Sequence, residues 1–155
     1  MNITIFGLGY VGTVTAACLA RHGHRVVGVD RLQEKVDLLS AGQAPIVEPG
    51  VADLLNDHPF TATTDAAAAL ADADLSIISV GTPPGPTGEP NLSFVEKVCR
   101  EIGSALRGRT ETHVVVLRST CPPGTLEQCR AWIEEASGGA PVALAFNPEF
   151  LREGS

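Results

Sequence analysis

The chain has 155 residues, a size at which one domain can bury about 70% of its unfolded surface, and with 44% hydrophobic against 19% charged residues it lacks the composition of a disordered segment. Lys and Arg number 11 against 18 Asp and Glu, a net charge of −7, which excludes the basic stripe that sequence-independent nucleic-acid binding requires; an anionic ligand has to be met by local groups. No run of about 18 apolar residues occurs and the first apolar stretch lacks a basic flank, so neither a membrane span nor a secretory leader is expected, and the expected compartment is the cytoplasm.

Short runs rich in β-branched residues alternate with longer stretches of helical period, the pattern of βαβ units about a parallel sheet. Residues 2–6 (NITIF) predict a first strand, 10–21 a helix, 25–29 a second strand, and 32–40 a second helix closing near Gly42. Residues 60–64 predict a third strand, the alanine run 66–71 a short helix, and 75–80 (LSIISV) a fourth strand apolar enough to be covered on both faces. A helix over 93–106, a strand over 113–117, a helix over 125–136 and a strand over 142–146 complete the series. Six strands in two βαβαβ halves predict an α/β fold, a doubly wound, Rossmann-like parallel sheet forming one domain over residues 1–155. Two stretches break the rhythm and are expected to be loops: 43–50 (QAPIVEPG) and 81–90 (GTPPGPTGEP). The second follows the fourth strand at the point where strand order reverses, which is where such sheets bind ligands.

Gly7, Gly9 and Gly12 spell GLGYVG between the first strand and the first helix. In that context the first glycine permits a tight turn, the second lets backbone N–H groups approach a pyrophosphate, and the third lets helix and strand pack closely. The positive end of the helix dipole then faces the phosphates, so an acidic protein can still bind an anion. Asp30 lies eighteen residues beyond Gly12 at the end of the second strand, near the spacing of about 20 at which a carboxylate accepts from an adenosine ribose and repels a 2′-phosphate. An N-cap of the following helix is its structural alternative. Arg31, next in the chain, is a group that can serve a 2′-phosphate, but it lies beyond the acid rather than in its place, so NAD is the expected cofactor.

Cys18, Cys99, Cys121 and Cys129 show no CxxC spacing, and His22, His24, His58 and His113 have no mutual spacing for a metal or a triad. These residues are expected to be structural, with no disulfide framework and no metal. Trp132, amid helical WIEE, is expected to pack a helix.

With GLGYVG, VGVD at 27–30, APIVEPG at 44–50, VGTP at 80–83, RSTCPPGT at 118–125 and NPEFLREGS at 147–155, the chain resembles the nucleotide-sugar 6-dehydrogenases from end to end. The wording APIVEPG and VCREIG is closer to the GDP-mannose than to the UDP-glucose dehydrogenases. The resemblance implies oxidation of a sugar C6 alcohol to a carboxylate with two NAD+, a cysteine carrying the intermediates, and a nucleotide-sugar substrate. It implies that Tyr10 and Val11 contact the pyrophosphate through their backbone, that Asp30 and Lys35 contact the adenosine ribose, and that Thr82 neighbours the nicotinamide half. It further implies that Thr120 helps hold the reacting water beside the cofactor, that Glu149 is the general base and touches substrate, and that Glu153 lies between cofactor and substrate. Cys121 stands where the family commonly has a hydrophobic residue, and it is not read as the nucleophile.

The family's catalytic cysteine belongs to a Gly-rich stretch followed by Lys-Asp, and no such stretch occurs in residues 1–155. The chain is therefore expected to be the amino-terminal, dinucleotide-binding part of a larger enzyme whose substrate domain is absent, assembling as a homo-oligomer through that absent part, with no nucleic-acid or membrane partner. Two other readings stay open: the cofactor domain of a two-electron hydroxyacid-type dehydrogenase, which needs no water-activating pair, and a non-catalytic NAD-binding module.

Overall fold

The computed structural model describes residues 1–86 and 88–150. In chain order its elements are β1 (Asn2–Phe6), α1 (Tyr10–Arg21), β2 (Arg25–Val29), α2 (Gln33–Ser40), α3 (Val51–Asp57), β3 (Thr61–Thr63), α4 (Ala66–Leu70), β4 (Leu75–Ile78), α5 (Ser93–Ala105), β5 (His113–Leu117), α6 (Thr125–Ser137) and β6 (Val142–Phe146). All strand pairs are parallel, in the order β3-β2-β1-β4-β5-β6. The expected doubly wound sheet is thus present. Its order reverses between β1 and β4, so the loops leaving these two strands part to opposite sides and leave a crevice between them.

Apolar spacing explains which faces are covered. On α5, Val95, Val98, Cys99 and Ile102 recur at helical spacing and are buried. They join Phe6, Ile78, Leu117 and Ile133 in the larger core beneath α4, α5 and α6. Each fully buried side chain of this size contributes about 1.5–3 kcal/mol, so this one stripe fixes α5 against the sheet. The opposite face is held by Ile3 and Ile5 against Ala16 of α1, where small side chains let helix and strand come close. Trp132 packs against the larger core, as expected.

Beyond one-residue shifts at the carboxyl ends of α4, α5 and α6, three elements differ from the sequence reading and one is new. The second helix starts at Gln33 because Leu32 keeps an extended backbone (φ −92°, ψ 108°) and gives its N–H to Asp30 Oδ1 at 3.0 Å. The fourth strand stops at Ile78 because Ser79 and Val80 turn off into the wall of the crevice after the Ser79 N–H donates to the Phe6 carbonyl at 2.8 Å. The third strand keeps only Thr61–Thr63 at the sheet's edge, where a single neighbour, β2, pairs with it. Helix α3 was not anticipated: Gly50, at φ +81°, reverses the chain before a short VADLLND helix that buries Val51 and Leu55. The stretches 43–50 and 81–90 are loops among the described residues, the latter pinched by a Pro84–Pro90 bridge.

One buried polar pair predicts a pH dependence. The His113 ring, 2% exposed, meets Ser76 Oγ through Nε2 at 2.8 Å. Burial, and secondarily the Arg109 charge, hold its pKa below the ordinary 6.5. The folded protein therefore keeps this ring neutral at a pH where the unfolded chain protonates it. Its contribution to stability is full above pH 6.5 and is lost as pH falls from there through the folded-state pKa. Unfolding curves between about pH 7 and 5 should show a shallower acid limb for His113→Gln than for the parent; parallel limbs would assign the acid sensitivity to other groups.

Candidate cofactor site

The crevice is built first by backbone. After β1, Gly7 turns the chain at φ +92° and donates its N–H to the Val29 carbonyl at 2.8 Å. A Cβ on Gly7 would come within 2.6 Å of the Ser79 carbonyl oxygen, and one on Gly12 would overlap the Gly7 carbonyl, so turn, helix and neighbouring strand are as close as backbones allow. Gly9 differs. Its φ of −82° is ordinary and a Cβ there would meet nothing within 4 Å, so the position faces open space. As the N-cap of α1 it provides no side-chain acceptor, which leaves the first N–H groups of the helix, those of Tyr10 and Val11 included, for an external acceptor.

Gly7 and Gly9 line one end of a cavity of about 480 Å³ that also meets Asp30, Lys35, Ser79 and Gly81. Asp30 is 8% exposed and its carboxylate is already anchored: Oδ2 accepts from the Leu8 N–H at 2.8 Å, Oδ1 from the Leu32 N–H, and Lys35 Nζ lies 3.4 Å from Oδ2. The helix cap that sequence offers as an alternative is not formed, since Leu32 is the N-cap of α2 and no side chain caps it. Asp30 instead ties the glycine turn to the end of β2. An ionised carboxylate has about four acceptor directions, so sites remain for ligand hydroxyls on the cavity side.

The other expected site residues fall into two groups. Tyr10 and Val11 begin α1; neither they nor Gly12 line the cavity, and the Tyr10 hydroxyl donates to the Val47 carbonyl at 3.0 Å, tethering the 43–50 loop to the glycine turn. Thr82 and Thr120 are brought together, the Thr82 hydroxyl donating to the Thr120 carbonyl at 2.8 Å. Beside them, Ser119 Oγ donates to the Val80 carbonyl and Arg118 Nη1 to Asn147 Oδ1, at 2.7 and 2.8 Å. The loops after β4, β5 and β6 are thereby laced side by side. Thr120 is exposed and Glu149 half-buried, each just beyond the carboxyl end of one of two adjacent strands. Glu153 lies outside the described residues.

Sequence reasoning missed the outer wall. Phe94, Lys97, Val98 and Glu101 of α5 also line the cavity. Nothing in the periodicity of α5 marks these four, because their role depends on α5 standing across the crevice from the end of β2. Of the cysteines, Cys99 and Cys129 are fully buried, and a hydrogen bond to Cys129, with burial second, raises the Cys99 pKa. The half-buried Cys121 thiol is pushed up to about 11, by burial first and by Cys129 second. A thiol that stays protonated at neutral pH is a poor nucleophile.

The family model described as "UDP-glucose/GDP-mannose dehydrogenase family, NAD binding domain" matches residues 1–155. A GDP-mannose 6-dehydrogenase of Pseudomonas aeruginosa is 48% identical over 99% of the chain and 37% of its own length. A UDP-glucose 6-dehydrogenase of the same organism is 42% identical over 100% and 35%. Among solved structures, a ternary complex of the P. aeruginosa GDP-mannose dehydrogenase superposes with a TM-score of 0.95 at 47% identity, covering 99% of this chain and 37% of that one. A UDP-glucose dehydrogenase from Pyrobaculum islandicum gives 0.93 at 42% identity, covering 99% and 37%. The chain spans about a third of the length of these relatives. A glycine turn that leaves a helix N-terminus uncapped, an acidic residue closing the second strand, and relatives matched across the whole chain agree: this chain belongs to the UDP-glucose/GDP-mannose dehydrogenase family and is its NAD-binding domain.

Proposed function

We propose that residues 1–155 hold NAD for an enzyme that oxidises the C6 alcohol of a nucleotide sugar to a carboxylate, with GDP-mannose as the first candidate substrate and UDP-glucose as the second. The observation that carries this is the single cavity uniting the open face of Gly9 with Asp30 and Lys35 at the reversal of strand order. The backbone of Gly7 and Gly9 and the first N–H groups of α1 would hold the pyrophosphate, and Asp30 with Lys35 the adenosine ribose. The loops joined by the Thr82–Thr120 hydrogen bond would flank the nicotinamide half, as the family resemblance implies. NAD, when bound, supplies the hydride acceptor.

This chain's own chemical contribution concerns water. The Thr120 hydroxyl can orient a water and the Glu149 carboxylate can take its proton, as hydrolysis of an acyl intermediate requires. The role of Glu153 between cofactor and substrate rests on family resemblance alone. On the family resemblance, whose cysteine motif does not occur in residues 1–155, the acyl-carrying cysteine is assigned to another part of the intact protein. The greater identity to GDP-mannose dehydrogenases favours that substrate. The intact protein should release two NADH per sugar from its preferred nucleotide sugar; one NADH per product would support a two-electron dehydrogenase, and NAD binding without turnover a non-catalytic module.

Asp30 gives the binding test. Asp30→Ala removes the ribose acceptor and also orphans the Leu8 and Leu32 N–H groups. The expected result by titration calorimetry is NAD binding weaker by about 1–3 kcal/mol, with a lowered melting temperature. Unchanged NAD affinity would remove Asp30 from the cofactor site.

A further inference from the structure

Beyond Asp30 the cavity is closed by two groups that the proposed function leaves without a task. Arg31 follows Asp30, and Phe94 stands in the first turn of α5; both line the cavity, and the guanidinium carbon of Arg31 lies 5.0 Å from the centroid of the Phe94 ring. The pair spans the gap between the end of β2 and α5. Lys97 on the same wall has a carboxylate partner, Glu101, at 3.8 Å, whereas Arg31 forms no ion pair among the described residues. An exposed arginine is here held over a ring at the mouth of a cavity in an acidic protein, without a counter-charge.

We propose that Arg31, held over Phe94, is the stacking platform for the adenine of the cofactor, and that the pair together sets affinity for the adenosine half. The inference rests on the NAD site proposed above. A dinucleotide whose pyrophosphate meets Gly9 and whose ribose meets Asp30 extends its base past Asp30, to the side of Arg31 turned away from Phe94. A guanidinium is planar and weakly hydrated, so it stacks on π-systems through its faces. With Phe94 on one side, the opposite side of the guanidinium is available to a purine. The ring also restricts the arginine before the ligand arrives, which lowers the entropy lost on binding. The strongly hydrated ammonium of lysine is a point charge with no planar face on which a purine can stack.

The test is titration of the intact protein with NAD, with ADP-ribose, and with nicotinamide mononucleotide. Arg31→Ala should weaken NAD and ADP-ribose alike, by about 3- to 10-fold, and leave the mononucleotide unchanged. Arg31→Lys should not restore affinity. Phe94→Tyr should preserve it, Phe94→Leu should match Arg31→Ala, and the double variant should lose no more than either single one, as for two residues acting as a unit. Arg31 is exposed, so its replacement leaves the fold in place. Unchanged ADP-ribose affinity in Arg31→Ala would overturn the platform, and full rescue by Arg31→Lys would reduce it to a charge effect and equally overturn it. Gly9→Ala in the same assay separates the two readings. If it loses NAD while Arg31→Ala does not, only the platform fails; if Gly9→Ala also binds normally, the cofactor site itself is misplaced.

Discussion

If the proposed function holds, Glu149→Gln in the intact protein is expected to lower steady-state turnover by about 100-fold or more, the span for loss of a general base, while NAD affinity stays at the parent value. Glu149 follows β6, whereas the cavity that gathers Gly9, Asp30 and Lys35 lies at β1 and β2; Glu149 is not among its walls. Removing its charge should therefore spare the cofactor. The loss should fall on the hydrolytic half of the reaction, where water must give up a proton as it attacks an acyl group. Glutamine keeps the shape and a hydrogen bond but has no basic oxygen at neutral pH. The first hydride transfer should remain visible as a burst of NADH, and a covalent sugar adduct should accumulate on the enzyme. Intact-protein mass spectrometry after mixing with nucleotide sugar and NAD+ reads it directly. A slow variant that never shows the adduct would place Glu149 in an earlier step or in structure alone.

How much of this was legible in the sequence depends on whether one chain segment or several carry the signal. Strands β1, β2, β5 and β6 and helix α1 are found with the expected bounds, because β-branched runs between turn residues define themselves locally. Strand β4 was read two residues too long: Ser79 and Val80 belong to the same apolar run, and only the crevice, formed by a reversal of order across the sheet, bends them away. Helix α3 had a local signal that was overlooked, apolar Val51, Leu54 and Leu55 after a glycine able to take φ +81°. At the site, the GLGYVG turn and Asp30 were visible from spacing alone. What spacing could not give is that Asp30 holds the N–H of Leu8, twenty-two residues earlier, so that the side chain proposed for the ribose also fixes the glycine turn. The Arg31–Phe94 contact is a meeting of residues from different βα units and has no sequence period at all.

Gly12→Ala and Gly9→Ala should fail in opposite ways, although both change one methyl in the same six-residue turn. A Cβ at Gly12 overlaps the backbone carbonyl of Gly7, an obstacle with no rotamer to move, so α1 must lift from the turn and disturb the packing of Ala16 and Ala17. Overpacking ordinarily costs about 1–3 kcal/mol; against fixed backbone the expected cost is at the top of that range or above it, a fall in melting temperature of about 10 °C for a domain of this size. NAD binding then weakens because the turn itself is displaced. At Gly9 the backbone is unstrained and a Cβ meets nothing within 4 Å, so the only structural cost is the poorer N-cap, at most about 1 kcal/mol. The methyl instead enters the space proposed for the pyrophosphate. Gly9→Ala should keep close to the parent melting temperature and lose NAD affinity by more than about 10-fold, the scale of an unrealised set of charge-assisted hydrogen bonds. Thermal unfolding and NAD titration on the two variants distinguish the roles: a Gly12→Ala protein that melts like the parent would deny the close helix–turn contact, and a Gly9→Ala protein that binds NAD like the parent would move the pyrophosphate elsewhere.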